Sequence, residues 1–541
     1  NTTVSPRRNY GVVAMLANEL LVDRKPAGVS IAWGNSTQHN GAAVNPNGGT
    51  LVYNPRNSAI PTTTLPGEGG EPDLVLGGHS GPIHDPTAML YVRVDDLVPV
   101  NPSAGACKTA KDGTPGTVNP SCPVKLKSGQ KVEPLVLRAA AGDCVQVTLY
   151  NRLPQVAPDL PVLGTLLGVV KRDRNRPEGS VPFDNNLIRP SSTVGLHTQL
   201  LAMDVTQDDG ANIGGNIVQT VGPVDPATGK AGKAQTYRWY AGDVSARPEA
   251  NGVRLVATPV EFGGVSLIPA DKIKQGQKSL VGSLVVVPQG ATIAEDPGQH
   301  AQATITPPGG TPYRDVAIVM TKDLNHRYAD GFPVEHMNGE GLGMPEDSQE
   351  NSNMAMNYGI EPLWFRLGVA PNAPFGGAGC GPGCYGGAEK AHQAYSNVIA
   401  GGADPATPVI TAAAGQEVRV HIALPHSSSR GSTMAMHGHT WQRDPYVCSG
   451  ESMYGLAGMC STVSNAGLYD AAGNPLVGSR NIGENPVGFE QNAQESMQAY
   501  THFTFRLRKA GGENGVKGDY LFRDKGSFGN ASGLWGILRV Q

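Results

Sequence analysis

The chain has 541 residues, of which 71 are glycine and 43 are proline, whereas only 16% are charged. A coiled coil or long-helix protein would need more charged residues and fewer glycines, so the composition excludes that class. Because 39% of the residues are hydrophobic and the formal net charge is only −4, the chain can bury cores and is not a disordered polyelectrolyte. The composition is typical of a mostly β protein with long turns, and the length fits two to four domains.

The balance of basic and acidic residues also limits the kinds of partner that the chain can bind. With 42 basic and 46 acidic residues, the overall charge does not favour nucleic acid or an anionic membrane. No apolar stretch approaches the roughly 20 residues that a transmembrane helix needs. The sequence begins with Asn1 instead of Met, which predicts that a signal peptide or part of a longer precursor has been removed.

The first 85 residues carry no clear domain signal. Apolar runs at 12–16 and 29–33 are candidate strands, and 40–70 is a polar loop rich in glycine, proline, asparagine and threonine. We therefore interpret residues 1–85 as an N-terminal extension or as the tail of a preceding domain.

An internal repeat occupies most of the remaining chain. The segment 135–149 consists of two apolar runs joined by a glycine turn, and 409–422 repeats that pattern 273 residues later, measured from Gly142 to Gly415. In the second run of each copy, apolar and polar residues alternate with the period of a half-buried strand. Two further strand pairs follow in the same order, 236–240 with 501–506 and 280–287 with 534–540.

The repeat predicts two copies of one β-domain, at 86–292 and 356–541. A connecting segment at 293–355 joins them and contains one candidate strand at 316–320. Glycine and proline concentrate in the long loops that connect the short strands.

The cysteines predict disulfides and an oxidising compartment. One pair lies in the flexible Gly-Pro-Gly loop at 380–384, a second pair brackets the loop 448–460, and two of the first three cysteines form a third candidate pair. A metal or redox Cys-x-x-x-Cys site is the alternative for the pair at 380–384. Disulfides indicate a secreted protein, extracellular or periplasmic. The seven cysteines are Cys107, Cys122, Cys144, Cys380, Cys384, Cys448 and Cys460.

The order of these elements resembles that of the cupredoxin domains of multicopper oxidases. The segment 142–153, with a Gly-Asp turn, an alternating strand and Asn-Arg-Leu, is similar to the opening of such a domain, and 518–537 is similar to its closing strands. Met-His-Gly-His-Thr-Trp at 436–441 resembles the family's His-x-His-Gly-His segment, and His197 falls where the family has a His-x-His motif. The resemblance covers about 86–541.

The resemblance implies an all-β fold of tandem cupredoxin-like Greek-key β-sandwiches with long Gly/Pro-rich loops. More narrowly, the chain is similar to the large bacterial multicopper oxidases associated with manganese oxidation, in which several such domains share one polypeptide. Such oxidases hold one copper with two histidines and a cysteine thiolate, and a three-copper cluster with further histidines.

Most of the ligand positions that the resemblance implies are occupied by other side chains. His197 and His437 match ligand positions, whereas His439 matches a family position that is usually not a ligand. The segment 262–266, where another His-x-His motif is expected, contains no histidine. The substituting residues are Gln199, Ser432, Ala435, Arg523, Asp524, Lys525 and Gly529, with no cysteine in the last motif.

Three histidines remain as candidate metal ligands, and no catalytic residue is predicted. His437 and His439 alternate, so on a strand both face one side and can chelate a metal. The alternative is that one ring packs inward and hydrogen-bonds the backbone. His197 alone is more typical of a satisfied interior histidine.

Two weaker candidates lie elsewhere. A turn can bring His79 and His84 together as metal ligands, although a hydrogen-bonded turn is favoured. The acidic stretch 340–350 can in principle bind a hard cation such as Mn²⁺, but a solvated loop is favoured.

Three hypotheses follow. In the first, the chain is the copper-poor portion of a larger oxidase that oxidises a metal ion or a phenol with O₂. Its copper ligands then lie mainly on other cupredoxin domains of the same precursor or on a partner chain, and the isolated chain is expected to be inactive and to hold almost no copper. In the second, the chain is a copper-free cupredoxin scaffold or an extracellular or surface structural protein. In the third, it is a binding module that uses His437 and His439 for a single metal.

Overall fold

The protein is described by a computed structural model, which is nearly all β-sheet. The residues that it describes are 5–31, 44–65, 74–159, 189–250, 252–334, 353–369, 388–426, 431–443, 445, 481–484, 489–525 and 532–541.

Short strands make up most of the regular structure. The strands of the N-terminal part are β1 (Arg7–Leu16), β2 (Leu51–Asn54), β3 (Thr63–Leu65), β4 (Leu74–Leu76), β5 (Ile83–Asp85), β6 (Met89–Arg93), β7 (Leu97–Pro99), β8 (Val124–Leu126), β9 (Leu135–Ala140), β10 (Cys144–Asn151), β11 (Leu196–Thr198), β12 (Gln235–Tyr240), β13 (Gly242–Glu249), β14 (Gly252–Pro259), β15 (Gly263–Pro269) and β16 (Gly282–Val287). Those of the C-terminal part are β17 (Thr292–Glu295), β18 (Gln302–Thr306), β19 (Tyr313–Thr321), β20 (Ala355–Met356), β21 (Val409–Ala412), β22 (Val418–His426), β23 (Ser432–Met436), β24 (Trp441–Gln442), β25 (Glu490–Gln491), β26 (Ala493–Met497), β27 (His502–Leu507), β28 (Gly518–Asp524) and β29 (Trp535–Val540). The α-helices are α1 (Ala17–Leu20) and α2 (Leu363–Leu367), and the 3₁₀ turns are Val94–Asp96, Gly105–Cys107, Gly116–Val118, Ala388–Gln393 and Asn397–Ala400.

Two four-stranded sheets form the first sandwich. One has the order β12-β10-β1-β6 and the other β11-β15-β16-β9. Strand β1 pairs parallel with β10, and β16 pairs parallel with β9. Apolar side chains of both sheets pack into one core, as expected for two sheets stacked face to face.

The second sandwich repeats this arrangement. One sheet has the order β17-β18-β19-β22-β27, with β20 paired to β19, and the other has the order β21-β29-β28-β23-β26. Strand β19 pairs parallel with β22, as β1 does with β10, and β21 pairs parallel with β29. The tandem all-β cupredoxin-like fold that the sequence predicted is confirmed by this strand order and pairing.

Each sandwich also uses strands from outside the range predicted for it. Strand β1 comes from the predicted extension 1–85, and β17 to β19 come from the predicted connecting segment 293–355. In β1, Val12 and Ala14 face the sandwich core, while Val13 and Met15 face a second core formed by residues that lie mostly between 17 and 126. Because both faces of β1 are buried from Val12 to Met15, this part of its sequence lacks the alternation that marks a half-buried strand.

The second core is tied by a disulfide between Cys107 and Cys122. Cys144 is the cysteine of the first three that is left over, and it is exposed and unpaired. The candidate pairs at 380–384 and 448–460 lie outside the described residues. Within the described part of the chain, the helices are all too short to cross a bilayer.

The two sandwiches approach each other closely along β15 and β22. An added Cβ at Gly264 in β15 would lie 2.5 Å from Cβ of His421 in β22, which is shorter than any real contact. The absence of a side chain at Gly264 therefore allows the strands to meet. The Gly264 N–H donates to Thr504 Oγ1 of β27 at 3.1 Å.

Candidate metal centre

The His437–His439 segment is a turn and not a strand. Strand β23 ends at Met436, and Gly438 has a φ of +68°, a left-handed conformation that favours glycine. His437 is exposed, whereas His439 is only 4% exposed. The prediction that the two histidines alternate along a strand and share one face is therefore wrong, because the turn at Gly438 separates their side chains.

Both nitrogens of the His439 ring are already used. The backbone N–H of Gly511 donates to Nε2 at 3.0 Å, so Nδ1 carries the proton and donates to the backbone oxygen of His437 at 2.9 Å. The ring packs edge-on against Tyr520, with centroids 4.7 Å apart. Burial lowers the pKa of His439, which keeps the ring neutral. His439 therefore matches the alternative in which the ring packs inward and hydrogen-bonds the backbone.

His437 lies beside two cationic side chains. Partial burial, followed by the charges of Arg523 and Lys525, lowers the pKa of His437. Arg523 and Lys525 occupy positions where the family resemblance implies copper ligands. Because they disfavour a proton on His437, they also disfavour a metal cation at the same ring.

Asp524, which lies between Arg523 and Lys525 in the chain, points toward the sheet. Asp524 is fully buried, and its Oδ1 accepts a hydrogen bond from the backbone N–H of Thr433 at 3.1 Å. Arg523 donates to the Tyr395 hydroxyl at 3.2 Å and stacks over the same ring. These two side chains thus serve the local packing of the second sandwich.

His197 lies in the first sandwich, far along the chain from the other two candidates. Its Nδ1 is 2.9 Å from the backbone oxygen of Asp209 and 3.1 Å from Asp209 Oδ1. The side chain is 27% exposed. Both contacts come from one residue, which fits a hydrogen-bonded histidine at the edge of β11.

Gln199 fills the position where the family has the second histidine of this motif. Its Nε2 donates to the backbone oxygen of Tyr500 at 2.8 Å, and its Oε1 accepts from the backbone N–H of Ser266 at 3.3 Å. Tyr500 lies between β26 and β27, so the amide joins the first sandwich to the second. A glutamine can make this contact because it donates and accepts at once.

The His79 and His84 rings are held by different partners. His84 is fully buried, with Nδ1 2.7 Å from Thr50 Oγ1 and Nε2 3.1 Å from the Tyr328 backbone oxygen, and burial lowers its pKa to about 4. His79 lies 2.7 Å from a carboxylate oxygen of Asp330 and stacks between aromatic rings. The acidic stretch 340–350 lies outside the described residues. Among the residues that are described, no group of three or more His, Cys, Asp or Glu side chains is arranged to hold a metal.

A buried polar cluster that the sequence did not predict lies between the sandwiches. Arg138 of β9 donates through Nε and Nη2 to Asp315 Oδ1 of β19, at 3.0 Å for both bonds. Asp315 Oδ2 lies 2.7 Å from His421 Nε2, and His421 Nδ1 lies 2.8 Å from Thr504 Oγ1. We call Arg138, Asp315, His421 and Thr504 the interface network.

The interface network pairs every charge that it buries. Arg138 is 1% exposed and Asp315 is fully buried. Burial by itself would raise the pKa of Asp315, but His421 and Arg138 overcome that effect and lower it to about 2. A buried carboxylate that is paired and hydrogen-bonded on both oxygens stays ionised. The network therefore fixes the geometry of the contact between the sandwiches.

A second set of ion pairs continues along the same contact. Arg419 of β22 lies 2.5 Å from Glu261, which comes just before β15, and 2.7 Å from Glu417. Burial raises the pKa of Glu261 to about 7, although the Arg419 charge opposes that shift. The Arg419 guanidinium also stacks on the Tyr313 ring at 4.0 Å.

Sequence reasoning missed both sets because their members are far apart in the chain. Arg138 and Asp315 are separated by 177 residues. The available signal was a charged residue inside each of two apolar strands, 135–140 and 313–321. Charged residues that are almost fully buried are rare without a partner, so each one predicts that a partner exists, but not which residue it is.

Comparison with known proteins adds the following. No protein-family model matches the sequence, and no curated protein matches it. Among solved structures, the chain is similar to a multicopper oxidase, with 12% identity, 91% of this chain and 95% of that chain covered, and a TM-score of 0.36. It is also similar to a copper nitrite reductase from Nitrosomonas europaea (13% identity, 76% and 84% covered, TM-score 0.33) and to a blue copper oxidase from the same organism (11% identity, 76% and 77% covered, TM-score 0.33). Similarities of this size say nothing about activity.

The described residues do not fit the copper sites that the family resemblance implies. Gln199 and Asp524 are engaged in hydrogen bonds with the backbone, and Arg523 and Lys525 are cations. The buried histidine His439 has no nitrogen available for a metal. We therefore derive no reaction step through copper in this chain.

Proposed function

We propose that this chain is the structural, copper-poor portion of a larger multicopper-oxidase-like protein that is secreted to the periplasm or the cell exterior. The copper ligands of that protein lie mainly on other cupredoxin domains of the same precursor or on a partner chain. The complete assembly oxidises a metal ion or a phenol and passes the electrons to O₂, and Mn²⁺ is the substrate that the narrower resemblance favours. The chain described here supplies two rigid sandwiches on which that assembly is built.

The hydrogen bonds of Gln199 are the observation that carries this proposal. A ligand position of the resembled family is used to join two sandwiches, with both atoms of the amide engaged. A side-chain amide whose nitrogen and oxygen are both hydrogen-bonded to backbone groups is suited to fixing a contact and not to binding a metal. The disulfide between Cys107 and Cys122 supports an oxidising compartment.

A copper-free scaffold without any oxidase partner is the second candidate. The interface network favours it, because the buried charges of Arg138 and Asp315 are paired by this chain itself. In that case the protein would assemble with itself or with other surface proteins and would carry no oxidase activity at all.

Capture of the protein from its native source separates the two. The complex is isolated under non-denaturing conditions through a tag on this chain and is analysed for copper, for co-purifying chains and for oxidation of Mn²⁺ and a phenol. Several coppers per complex, none of which remain on this chain after dissociation, support the oxidase proposal. A copper-free complex without activity contradicts it and supports the scaffold.

A further inference from the structure

A two-stranded hairpin stands apart from both sandwiches. Strands β13 and β14 pair only with each other, and each has eight residues and is therefore about 26 Å long. We call residues 242–259 the arm. An isolated two-stranded ribbon is at best marginally stable in water, so an arm of this length is expected to pack against something.

The register of the arm places its apolar side chains on one face, except for Val256. Residues directly opposite each other share a face, and residues two apart along a strand share it as well. Val244 is opposite Ala257, Ala246 is opposite Leu255, and Pro248 is opposite Val253. The other face carries Asp243, Ser245, Arg247, Arg254, Val256 and Thr258.

The apolar face of the arm is exposed to solvent, with Leu255 70% exposed, Val253 67% and Val244 40%. The opposite face is half-buried at Ser245 and Arg247 and exposed at its charged ends. In a sheet with one solvated face, the polar side chains are expected to point outward. The arm departs from that expectation because its apolar face is exposed as well, and an exposed apolar surface is typical of a contact with another molecule.

A second group of exposed apolar residues adjoins the base of the arm. The backbone N–H of Ala202 lies 3.3 Å from the backbone oxygen of Gly242, the first residue of the arm. Val205 is held next to the 216–219 segment, because its backbone oxygen accepts from Gln219 Nε2 at 3.1 Å. The loop patch consists of Leu200, Val205, Ile213, Ile217 and Val218, which are 54%, 58%, 56%, 58% and 72% exposed.

The exposed apolar surface is large enough for a stable interface. The three arm residues and the five loop-patch residues together expose on the order of 700 Å², close to the roughly 800 Å² that each partner gives to a standard interface. Soluble monomers seldom expose an apolar patch above about 600 Å². The arm alone would fall short of this area, so both parts are needed.

We propose that a second copy of this chain covers this surface, with the two arms packed apolar face to apolar face and each arm reaching the loop patch of the other copy. A two-fold contact of this kind requires a surface that is complementary to itself. The apolar face of the arm meets that requirement because it carries no charge that would repel its own copy. The charged pair of the arm, Arg254 and Glu249 at 3.6 Å, involves the opposite face. This inference does not depend on the proposed function.

The mass of the full chain in solution tests the proposal. Sedimentation velocity and light scattering over a wide concentration range should give a dimer of twice the 56.4 kDa chain mass. Leu255→Asp introduces a charge into each half of the contact and should weaken dimerisation at least about 100-fold. Arg254→Asp, one residue away on the opposite face, introduces the same side chain and should leave the dimer intact.

Two results would overturn the proposal. One is a wild-type protein that is monomeric at every concentration, which needs no variant. The other is a Leu255→Asp variant that keeps its near-UV circular dichroism and still dimerises like the wild type. If Leu255→Asp does not fold, Val253→Ser provides the same comparison with a smaller change. Copper content plays no part in these measurements, so they can fail while the proposed function holds.

Discussion

The contact between the two sandwiches and the turn at His437 to His439 both contain a buried histidine, but the two rings are held by different kinds of partner. His421 lies against a carboxylate and a hydroxyl of neighbouring strands in its own sheet, whereas His439 is bound by backbone groups. The first ring supports the carboxylate that binds Arg138 of the other sandwich, and the second fixes a local turn. A histidine in a cupredoxin-like fold can thus be fully used without any metal.

The two regions also differ in the kind of interaction that is lost when one partner is removed. In the interface network, removing Asp315 takes away the closest carboxylate of the buried Arg138 and leaves it only the more distant Glu295. At the turn, removal leaves one neutral N–H unpaired. We therefore expect effects on stability that decrease from the buried interface network to the turn and then to exposed hydrogen bonds such as that of Gln199.

The largest effect is expected for Asp315→Ala. The substitution removes the carboxylate that Arg138 binds through two nitrogens and leaves only Glu295, 3.5 Å from Nη1, beside a guanidinium whose side chain is 1% exposed. We expect the free energy of unfolding to fall by about 3–5 kcal/mol, measured by urea titration followed by circular dichroism. Asp519→Ala is the matched control, because its carboxylate pairs with Arg539 at the surface and is 45% exposed. Its effect should stay below about 1 kcal/mol, and equal losses for the two variants would contradict the account of the interface network.

The pH dependence of Asp315 gives the next largest effect. Its pKa of about 2 in the folded protein lies below the value of about 3.9 for an unpaired aspartate, so the carboxylate stabilises the fold fully above about pH 4. This contribution, about 2–3 kcal/mol, should disappear as the pH falls through about 2. Unfolding of wild type and of Asp315→Asn should therefore differ at neutral pH and converge near pH 2. A difference that stays constant with pH would show that the carboxylate charge is not responsible.

His439→Ala should have an intermediate effect. It leaves the backbone N–H of Gly511 without an acceptor, and we expect a loss of about 2 kcal/mol in thermal or urea unfolding. His437→Ala, two residues away and exposed, should change stability by less than about 0.5 kcal/mol. Neither variant should change the metal content of the purified chain. A loss of bound metal in both would restore the hypothesis of a two-histidine binding module.

The smallest effect is expected for Gln199→His. The variant completes a His-x-His motif with His197 but loses the hydrogen bond from Gln199 to the Tyr500 backbone, at a cost of about 1 kcal/mol. It should take up no more copper than wild type after loading and dialysis against a chelator. Gln207→His, at an exposed position, serves as the control for an added histidine. Copper uptake by Gln199→His alone would mean that the remaining ligands are already in place.

The sequence predicted the fold well where the repeat is clear, although β22 is buried along its whole length and is not the half-buried strand that its alternation predicted. The repeats at 135–149 and 409–422 correspond to β9–β10 and β21–β22, and both occupy the same place in their sandwiches. Strand β1 was not assigned to a sandwich because both of its faces are buried, and because the second core separates it from β9 in the chain. Periodicity cannot distinguish such a strand from any other short apolar run.

The site was less predictable. The substitutions at the implied ligand positions were visible in the sequence, and they correctly drew attention to Gln199 and Arg523. The turn at Gly438 was not foreseen, because His-Gly-His has the spacing of a strand and only the positive φ of the glycine breaks it. The interface network depends on pairing between distant strands, which one sequence does not specify.

The copper content of the full chain tests the central claim most directly. The purified protein is loaded with excess Cu²⁺, dialysed against a chelator and analysed by mass spectrometry of the metal. We predict far less than one copper per chain, because the residues at the described ligand positions are bonded elsewhere or positively charged. One or more tightly held coppers per chain, lost in His437→Ala, would contradict the account.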